Sequence, residues 1–141
     1  MYVLDTNVVS ELRKVSAGKA DARVAAWVRG VAATAMFVSV ISLHELEHGV
    51  LRLERRDSVQ GRILREWLEG SVVPAFDGRF LEVTTDIARL AASYHVPDPA
   101  PFRDALIAAT AATHGFSVVT RDAADFERFG VDLINPWTPG G

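Results

Sequence analysis

Short apolar runs alternate with longer helical patterns along most of the chain. Tyr2–Leu4, residues 35–41 and residues 116–120 are such runs, and residues 131–135 form a last one before Pro136. Runs of this length and composition, separated by segments with helical spacing, are typical of buried strands joined by helices. Parallel strands connected in this way take right-handed crossovers. The pattern therefore predicts an α/β fold, a three-layer sandwich with a central, mostly parallel sheet.

Apolar residues recur at helical spacing between the runs. The first predicted helix begins near Val8, the second spans residues 21–31, and the third begins at Ser42. The fourth runs from residue 63 to a stop at Gly70. Three more are predicted over residues 86–94, Phe102–His114 and 123–129. Ser42 and Glu45 match a capping box, which predicts that Glu45 lies in the first turn of its helix. Pro74 predicts that residues 72–74 form an extended connector, and residues 80–84 resemble a short strand.

Composition narrows the class of protein. The chain has 141 residues, of which 49% are hydrophobic and 23% charged, which predicts one domain spanning residues 1–141. The net charge of −3 gives no broad basic field, although a bound metal ion could supply positive charge locally. The absence of cysteine excludes disulfides and Cys-based zinc sites. With no signal peptide or transmembrane-length run, we expect a soluble, cytoplasmic protein without a membrane partner.

Acidic residues occupy equivalent places in several of these units. Asp5 follows the first strand, Glu45 opens the helix after the second, Asp104 lies in the first turn of the most apolar helix, and Asp122 follows the next strand, with Asp125 three residues on. Taken singly, each acid is explained as a helix cap or as a partner of a helix dipole. Taken together, they would meet at one edge of the sheet, where parallel strands end and the following helices begin.

Carboxylates that meet in one cleft repel each other and raise each other's pKa unless a cation joins them. Oxygen donors without His or Cys suit Mg²⁺ or Mn²⁺. Such ions activate water and stabilise in-line displacement at phosphorus. The acidic set therefore predicts metal-dependent hydrolysis of phosphodiesters.

The sequence around these acids resembles that of PIN-domain ribonucleases, and most closely the VapC/FitB-type toxins of bacterial toxin–antitoxin pairs. The stretches that carry the resemblance are Val3-Leu4-Asp5-Thr6-Asn7, Leu43-His44-Glu45-Leu46, Asp104-Ala105-Leu106-Ile107-Ala108-Ala109, Thr120-Arg121-Asp122 with Asp125-Phe126, and Asn135-Pro136-Trp137. The resemblance spans nearly the whole chain. It departs from the family pattern in the proline-rich residues 97–103, where Arg103 stands at a position expected to be small.

The resemblance implies a PIN-like, 5′-nuclease-like fold and an endoribonuclease that acts on RNA. It further implies restraint by a cognate antitoxin of the VapB/FitA type and a toxin homodimer. The residues expected to hold Mg²⁺ or Mn²⁺ and to orient the attacking water are Asp5, Glu45, Asp104 and Asp122. The residues expected to support them are Thr6, Asn7, Thr120 and Asp125.

Two other functions stay open from the sequence. His44 and His48 with Glu45 match the H-E-x-x-H motif of zinc peptidases, with Glu66 or Glu69 as candidates for a third ligand. Helical periodicity, however, directs both histidines towards solvent, opposite the apolar face of their helix. The motif also leaves the other acids without a role. A non-catalytic interaction domain with an acidic rim is the second alternative.

A basic run follows the motif, consisting of Arg52, Arg55, Arg56, Arg62 and Arg65. Acidic residues interleave with it, so it is either a salt-bridged, solvated face or a rim that follows RNA phosphates. No aromatic stripe marks a platform for bases, and the sequence preference for RNA is therefore not predicted.

Overall fold

The structure, a computed structural model, describes residues 1–139; residues 140 and 141 of the predicted domain lie outside the described residues. The strands within that range are β1 Tyr2–Leu4, β2 Met36–Ser39, β3 Phe80–Leu81, β4 Ser117–Val119 and β5 Leu133–Ile134. They form one sheet in the order β3-β2-β1-β4-β5, and every described pairing is parallel. The predicted parallel sheet is confirmed, with β1 at its centre.

Helices connect these strands. They are α1 Thr6–Ser16, α2 Ala22–Arg29, α3 Val40–Arg56, α4 Ser58–Trp67, α5 Val73–Ala75, α6 Thr85–Ser93, α7 Phe102–His114 and α8 Ala123–Phe126. Short 3₁₀ turns occupy Ala33–Ala35 and Glu127–Phe129, and a π-helical turn occupies Leu68–Val72. None of the helices in residues 1–139 combines the length and the apolar character needed to cross a membrane.

The predicted boundary between the second strand and its helix was wrong. Strand β2 ends at Ser39, and its hydroxyl accepts a hydrogen bond from the backbone N–H of Ile41 at 3.0 Å. Ser39 rather than Ser42 is therefore the N-cap of α3, and Ser42 is buried inside the helix. The apolar residues 40 and 41 fit a strand and a buried helix equally well, so periodicity could not separate the two. Glu45 consequently lies in the second turn of α3, not the first.

The predicted helix stop at Gly70 and the extended connector at residues 72–74 were also wrong. The π-helical turn leads directly into α5, and the N–H of Val73 donates to the carbonyl of Leu68. Pro74 is tolerated because it stands in the first turn of α5, where no N–H is needed. Continued winding buries Leu68, Val72 and Phe76, so tertiary packing overrides the weak helix preference of Gly70.

Helices cover both faces of the sheet, as predicted for a three-layer sandwich. Successive residues of a strand point to opposite faces. Val3 and Val118 pack into one core cluster with residues of α6 and α7, whereas Leu4 and Val119 pack into the other with residues of α1 and α3. All four side chains are fully buried, which fixes the central strands and the edge at which they end.

Candidate active site

Asp5 joins the central strand to the first helix. It directly follows β1 and serves as the N-cap of α1, where its Oδ1 accepts a hydrogen bond from the N–H of Thr6 at 2.8 Å. Its backbone N–H pairs with Val119 of the neighbouring strand β4 at 2.9 Å. Asp5 is only 7% exposed, and these contacts hold it in one position at the carboxyl end of the sheet.

Thr120 connects Asp5 to Asp122. Its buried hydroxyl donates to Asp5 Oδ2 at 2.8 Å and accepts from the N–H of Asp122 at 3.0 Å. Asn7 completes the link, because its Nδ2 donates to Asp122 Oδ2 at 3.2 Å and its Oδ1 accepts from the N–H of Arg121 at 3.3 Å. The parallel pairing of β1 with β4 places both connections at the same edge.

Two further acids reach this edge from helices. Glu45 projects from the second turn of α3, and Asp104 lies in the first turn of α7. A cleft of about 1030 Å³ is lined by these two acids together with Asp5, Asp122, Thr6 and Asn7. Sheet topology thus brings the four predicted acids into one cleft, although they lie far apart in the sequence.

The remaining supporting residues do not line the cleft. Thr120 lies beneath it, fully buried, and acts through the hydrogen bonds described above. Asp125 is exposed at the start of α8, and its N–H donates to the carbonyl of Asp122 at 3.0 Å. Its carboxylate is near enough to raise the pKa of Asp104.

Burial and mutual repulsion perturb two of the acids. The pKa of Asp104 is raised from 3.8 to about 6, first by burial and then by the charges of Asp5, Asp125, Glu45 and Asp122. Burial also raises the pKa of Asp5, although the hydrogen bonds from Thr120 and Thr6 oppose that effect. Both shifts mean that the metal-free cleft favours protons over negative charge.

Arg103 partly balances this charge. Its Nη1 donates to Glu45 Oε2 at 3.1 Å, while its side chain remains 61% exposed. The unusual arginine noted in the sequence therefore contacts a site carboxylate from the rim of the cleft. Sequence reasoning missed this ion pair because Arg103 and Glu45 lie 58 residues apart. The only sign of this ion pair in the sequence was the arginine at position 103, where the family pattern leads one to expect a small residue.

The donors fit a hydrated divalent cation. Thr6 lines the cleft, and its Oγ1 is buried without a hydrogen-bond partner, which is the kind of polar atom that a bound water or ion would satisfy. Within residues 1–139, no three His, Asp or Glu side chains are positioned to hold an ion by themselves. The fit to a cation rests instead on donor chemistry, because carboxylate oxygens without Cys are the donors that suit Mg²⁺ or Mn²⁺, and such ions usually keep several waters.

The H-E-x-x-H residues show a different arrangement. His44 and His48 are exposed, as predicted, and their ring centroids lie 6.4 Å apart. Glu69, a suggested third ligand, instead forms an ion pair with Arg65 at 3.6 Å. Within the described part of the chain, residues 1–139, neither histidine is fixed by a hydrogen bond of the kind that orients zinc-binding imidazoles.

Arg65 differs from the rest of the basic run. Besides Glu69, it pairs with Glu47 at 2.6 Å and with Glu54 at 3.0 Å, which ties α4 to α3. Arg52, Arg55, Arg56 and Arg62 are exposed. Arg65 therefore belongs to a structural ion-pair network, and only the other four are accessible to a phosphate chain.

Replacing Thr120 by valine tests the link between Asp5 and Asp122. Valine keeps the volume but removes the hydroxyl, which leaves the N–H of Asp122 and the Oδ2 atom of Asp5 without a partner. We expect the free energy of unfolding to fall by about 1–2 kcal/mol. Thr120→Ser should restore most of it. Denaturant unfolding of the three proteins measures the effect, and equal stabilities would contradict it.

The chain is similar in sequence and in structure to known proteins. The PIN domain family profile matches residues 2–131. The chain is 40% identical to VapC ribonuclease Y4jK of Sinorhizobium fredii over 147 residues, covering 99% of each chain. It is 36% identical to toxin FitB of Neisseria gonorrhoeae, covering 97% of this chain and 99% of FitB. The crystal structure of FitAcB from the same organism superimposes with a TM-score of 0.86 at 33% identity, over 97% of this chain and 99% of that chain.

Proposed function

Because the chain belongs to the PIN-domain family, we propose that it is a divalent-metal-dependent endoribonuclease and the toxin of a type II toxin–antitoxin pair. The observation that carries the proposal is the convergence of Asp5, Glu45, Asp104 and Asp122 on one cleft. The names of the two relatives, a VapC ribonuclease and a toxin, support the reaction and the biological class. One domain over residues 1–141 stays a prediction, with which the match to residues 2–131 agrees.

The four acids would hold Mg²⁺ or Mn²⁺. When bound, the ion supplies a water of lowered pKa and positive charge at the phosphate under attack. The chain's own contribution is positioning. Thr6 and Thr120 fix the two oxygens of Asp5, and Asn7 holds one oxygen of Asp122. Side chains locked in this way do not need to reorganise during the reaction.

Arg103 offers a group for the RNA backbone. Its guanidinium is mostly exposed at the rim, and it contacts Glu45 through Nη1. Arginine binds phosphate oxygens through paired hydrogen bonds, so an incoming phosphate can replace Glu45 as its partner. That exchange would free the Glu45 carboxylate for the cation.

A toxin of this class requires a partner that restrains it. We propose a cognate antitoxin of the VapB/FitA type, a toxin homodimer, and action on RNA in the cytoplasm. The acidic cleft suits a basic side chain of the antitoxin, because the pairing of Arg103 with Glu45 is already favourable there. Co-expression with the neighbouring gene product should yield a complex and abolish toxicity, and undiminished toxicity would contradict the assignment.

The direct test is RNA cleavage by the purified protein in Mg²⁺ or Mn²⁺, with and without a chelator. We expect cleavage only when the metal is available. The His44→Ala/His48→Ala variant is the control for a zinc peptidase, and it should retain cleavage within a few-fold. Cleavage that persists in chelator would exclude the metal-dependent mechanism. Peptide hydrolysis lost in the double variant would favour the peptidase.

A further inference from the structure

We propose that the ring of Phe102 is a stacking surface for an unpaired RNA base beside the phosphate that is cut. The proposal rests on the ribonuclease function above and specifies its substrate as single-stranded RNA at that position. It identifies Phe102 as a substrate-positioning residue.

The exposure of Phe102 sets it apart from the other aromatic residues. Its side chain is 70% exposed, whereas every other Phe, Tyr and Trp in residues 1–139 is buried or half-buried. An exposed aromatic ring at the border of a nuclease cleft offers a face on which a base can stack. Phe102 does border it, since it lines the same cleft as the four acids.

The position of Phe102 in α7 places it next to the chemistry. It is the first residue of the helix, and Asp104 follows two positions later in the same turn. From residue 105 to residue 111 the helix is buried without interruption, so its start cannot shift independently of the core. The backbone positions of Phe102 and Asp104 are therefore held in a fixed relation, and both residues line the same cleft.

The loop before Phe102 is also fixed. Arg128 donates to the carbonyls of Tyr94 at 3.1 Å, Asp98 at 2.7 Å and Pro99 at 2.9 Å. Within the same loop, His95 Nδ1 accepts from the N–H of Ala100 at 3.1 Å. A ring presented from a constrained loop loses little entropy when a ligand binds, which favours recognition by stacking.

The neighbouring side chains favour a nucleic acid over a protein as the occupant. Arg103 adds a mostly exposed guanidinium directly after the ring. An aromatic face beside a cation is the combination that binds single strands, with the base on the ring and the phosphate on the cation. The exposed aliphatic side chains Leu51 and Val73 line an adjoining groove that shares only His44 and His48 with the cleft, and its apolar lining is better suited to a protein.

The test uses the inactive Asp5→Asn protein, which cannot cut the probe during the measurement, with a short single-stranded RNA that carries 2-aminopurine. We expect binding to quench the fluorescence of the stacked base. Adding Phe102→Ala should weaken binding on the order of tenfold and remove the quenching, while Phe102→Trp should keep both. Val59→Ala, which trims another exposed apolar side chain outside the cleft, is the matched control. Because Phe102 is mostly exposed, its removal should leave the melting temperature unchanged.

Each outcome separates this proposal from the proposed function. Unchanged affinity and quenching in Phe102→Ala overturn the stacking role, whereas cleavage by the wild type would still support the nuclease. Phe102-dependent binding without any cleavage by the wild type supports stacking and overturns the nuclease. A change in oligomeric mass or antitoxin capture, with RNA affinity unaltered, assigns Phe102 to a protein contact and overturns the proposal.

Discussion

Asparagine at position 5 should reduce RNA cleavage by at least about 10³-fold while leaving the fold intact. Asp5 is the most buried acid of the cleft and the one with both oxygens fixed by hydrogen bonds. An amide cannot supply the negative charge that holds a cation. Loss of the cation forfeits several kcal/mol of transition-state stabilisation, and each 1.36 kcal/mol is a factor of about ten in rate.

The fold should survive this change because asparagine satisfies the same contacts. The remaining oxygen of residue 5 can accept from the N–H of Thr6, which preserves the cap of α1. The new amide can donate to the hydroxyl of Thr120, since a hydroxyl oxygen has two lone pairs and uses one for the N–H of Asp122. Removing a buried charge whose pKa is raised by desolvation also lowers the cost of folding.

Initial cleavage rates of wild type and Asp5→Asn at saturating Mn²⁺ measure the effect, with circular dichroism to verify the fold. Asp77→Asn is the matched control, because Asp77 is exposed and lies outside the cleft. A folded Asp5→Asn protein that cleaves within tenfold of wild type would remove Asp5 from the metal site.

Features of the fold that depend on local sequence pattern could be predicted from the sequence. Tyr2–Leu4 and the residues of β4 are short apolar runs followed by an acid, and both are strands of the parallel sheet. Because the ends of parallel strands share an edge, the approximate meeting of Asp5 and Asp122 followed from topology alone. Asp104 could be placed in a first turn because the apolar pattern of α7 begins two residues before it.

Features decided by tertiary contacts could not be predicted in this way. Apolar residues lie on both sides of Ser39 at the β2–α3 junction, and only the contact of the Ser39 hydroxyl with Ile41 shows where the helix begins. Gly70 stays helical because neighbouring side chains are buried. The Arg103–Glu45 ion pair and the exposure of Phe102 depend on how α3 and α7 approach each other, which periodicity does not report.

Asparagine at position 104 should raise the stability of the metal-free protein and lower its response to metal. The pKa of Asp104 is raised to about 6 in the folded protein, against 3.8 for the free group. Well below pH 3.8 the group is protonated in both states and adds no cost. As pH rises from 4 to 6, the unfolded chain loses the proton first, so the stability of the wild type falls and then levels off above pH 6.

The stability of Asp104→Asn should not fall as the pH rises, because asparagine does not titrate. Since the Asp104 side chain is partly exposed, solvent screening reduces the effect, and we expect a difference on the order of 1 kcal/mol at pH 8. For a domain of this size that is a rise of a few degrees in melting temperature. At pH 3, below both pKa values, the two proteins should melt together. Asp77→Asn again serves as the control, with a melting temperature that follows the wild type at both pH values.

Adding metal should reverse the order of the two melting curves. A cation that binds only the folded wild type stabilises it by about 2.7 kcal/mol at a hundredfold excess over Kd, which exceeds the repulsion that the variant avoids. Asp104→Asn lacks one of the donors and should gain much less. If Asp104 were only a helix cap, the variant would be equal or less stable in chelator, and Mn²⁺ would move neither curve. Thermal melts of both proteins at pH 8, in chelator and in millimolar Mn²⁺, therefore decide whether the acids of this cleft hold a cation.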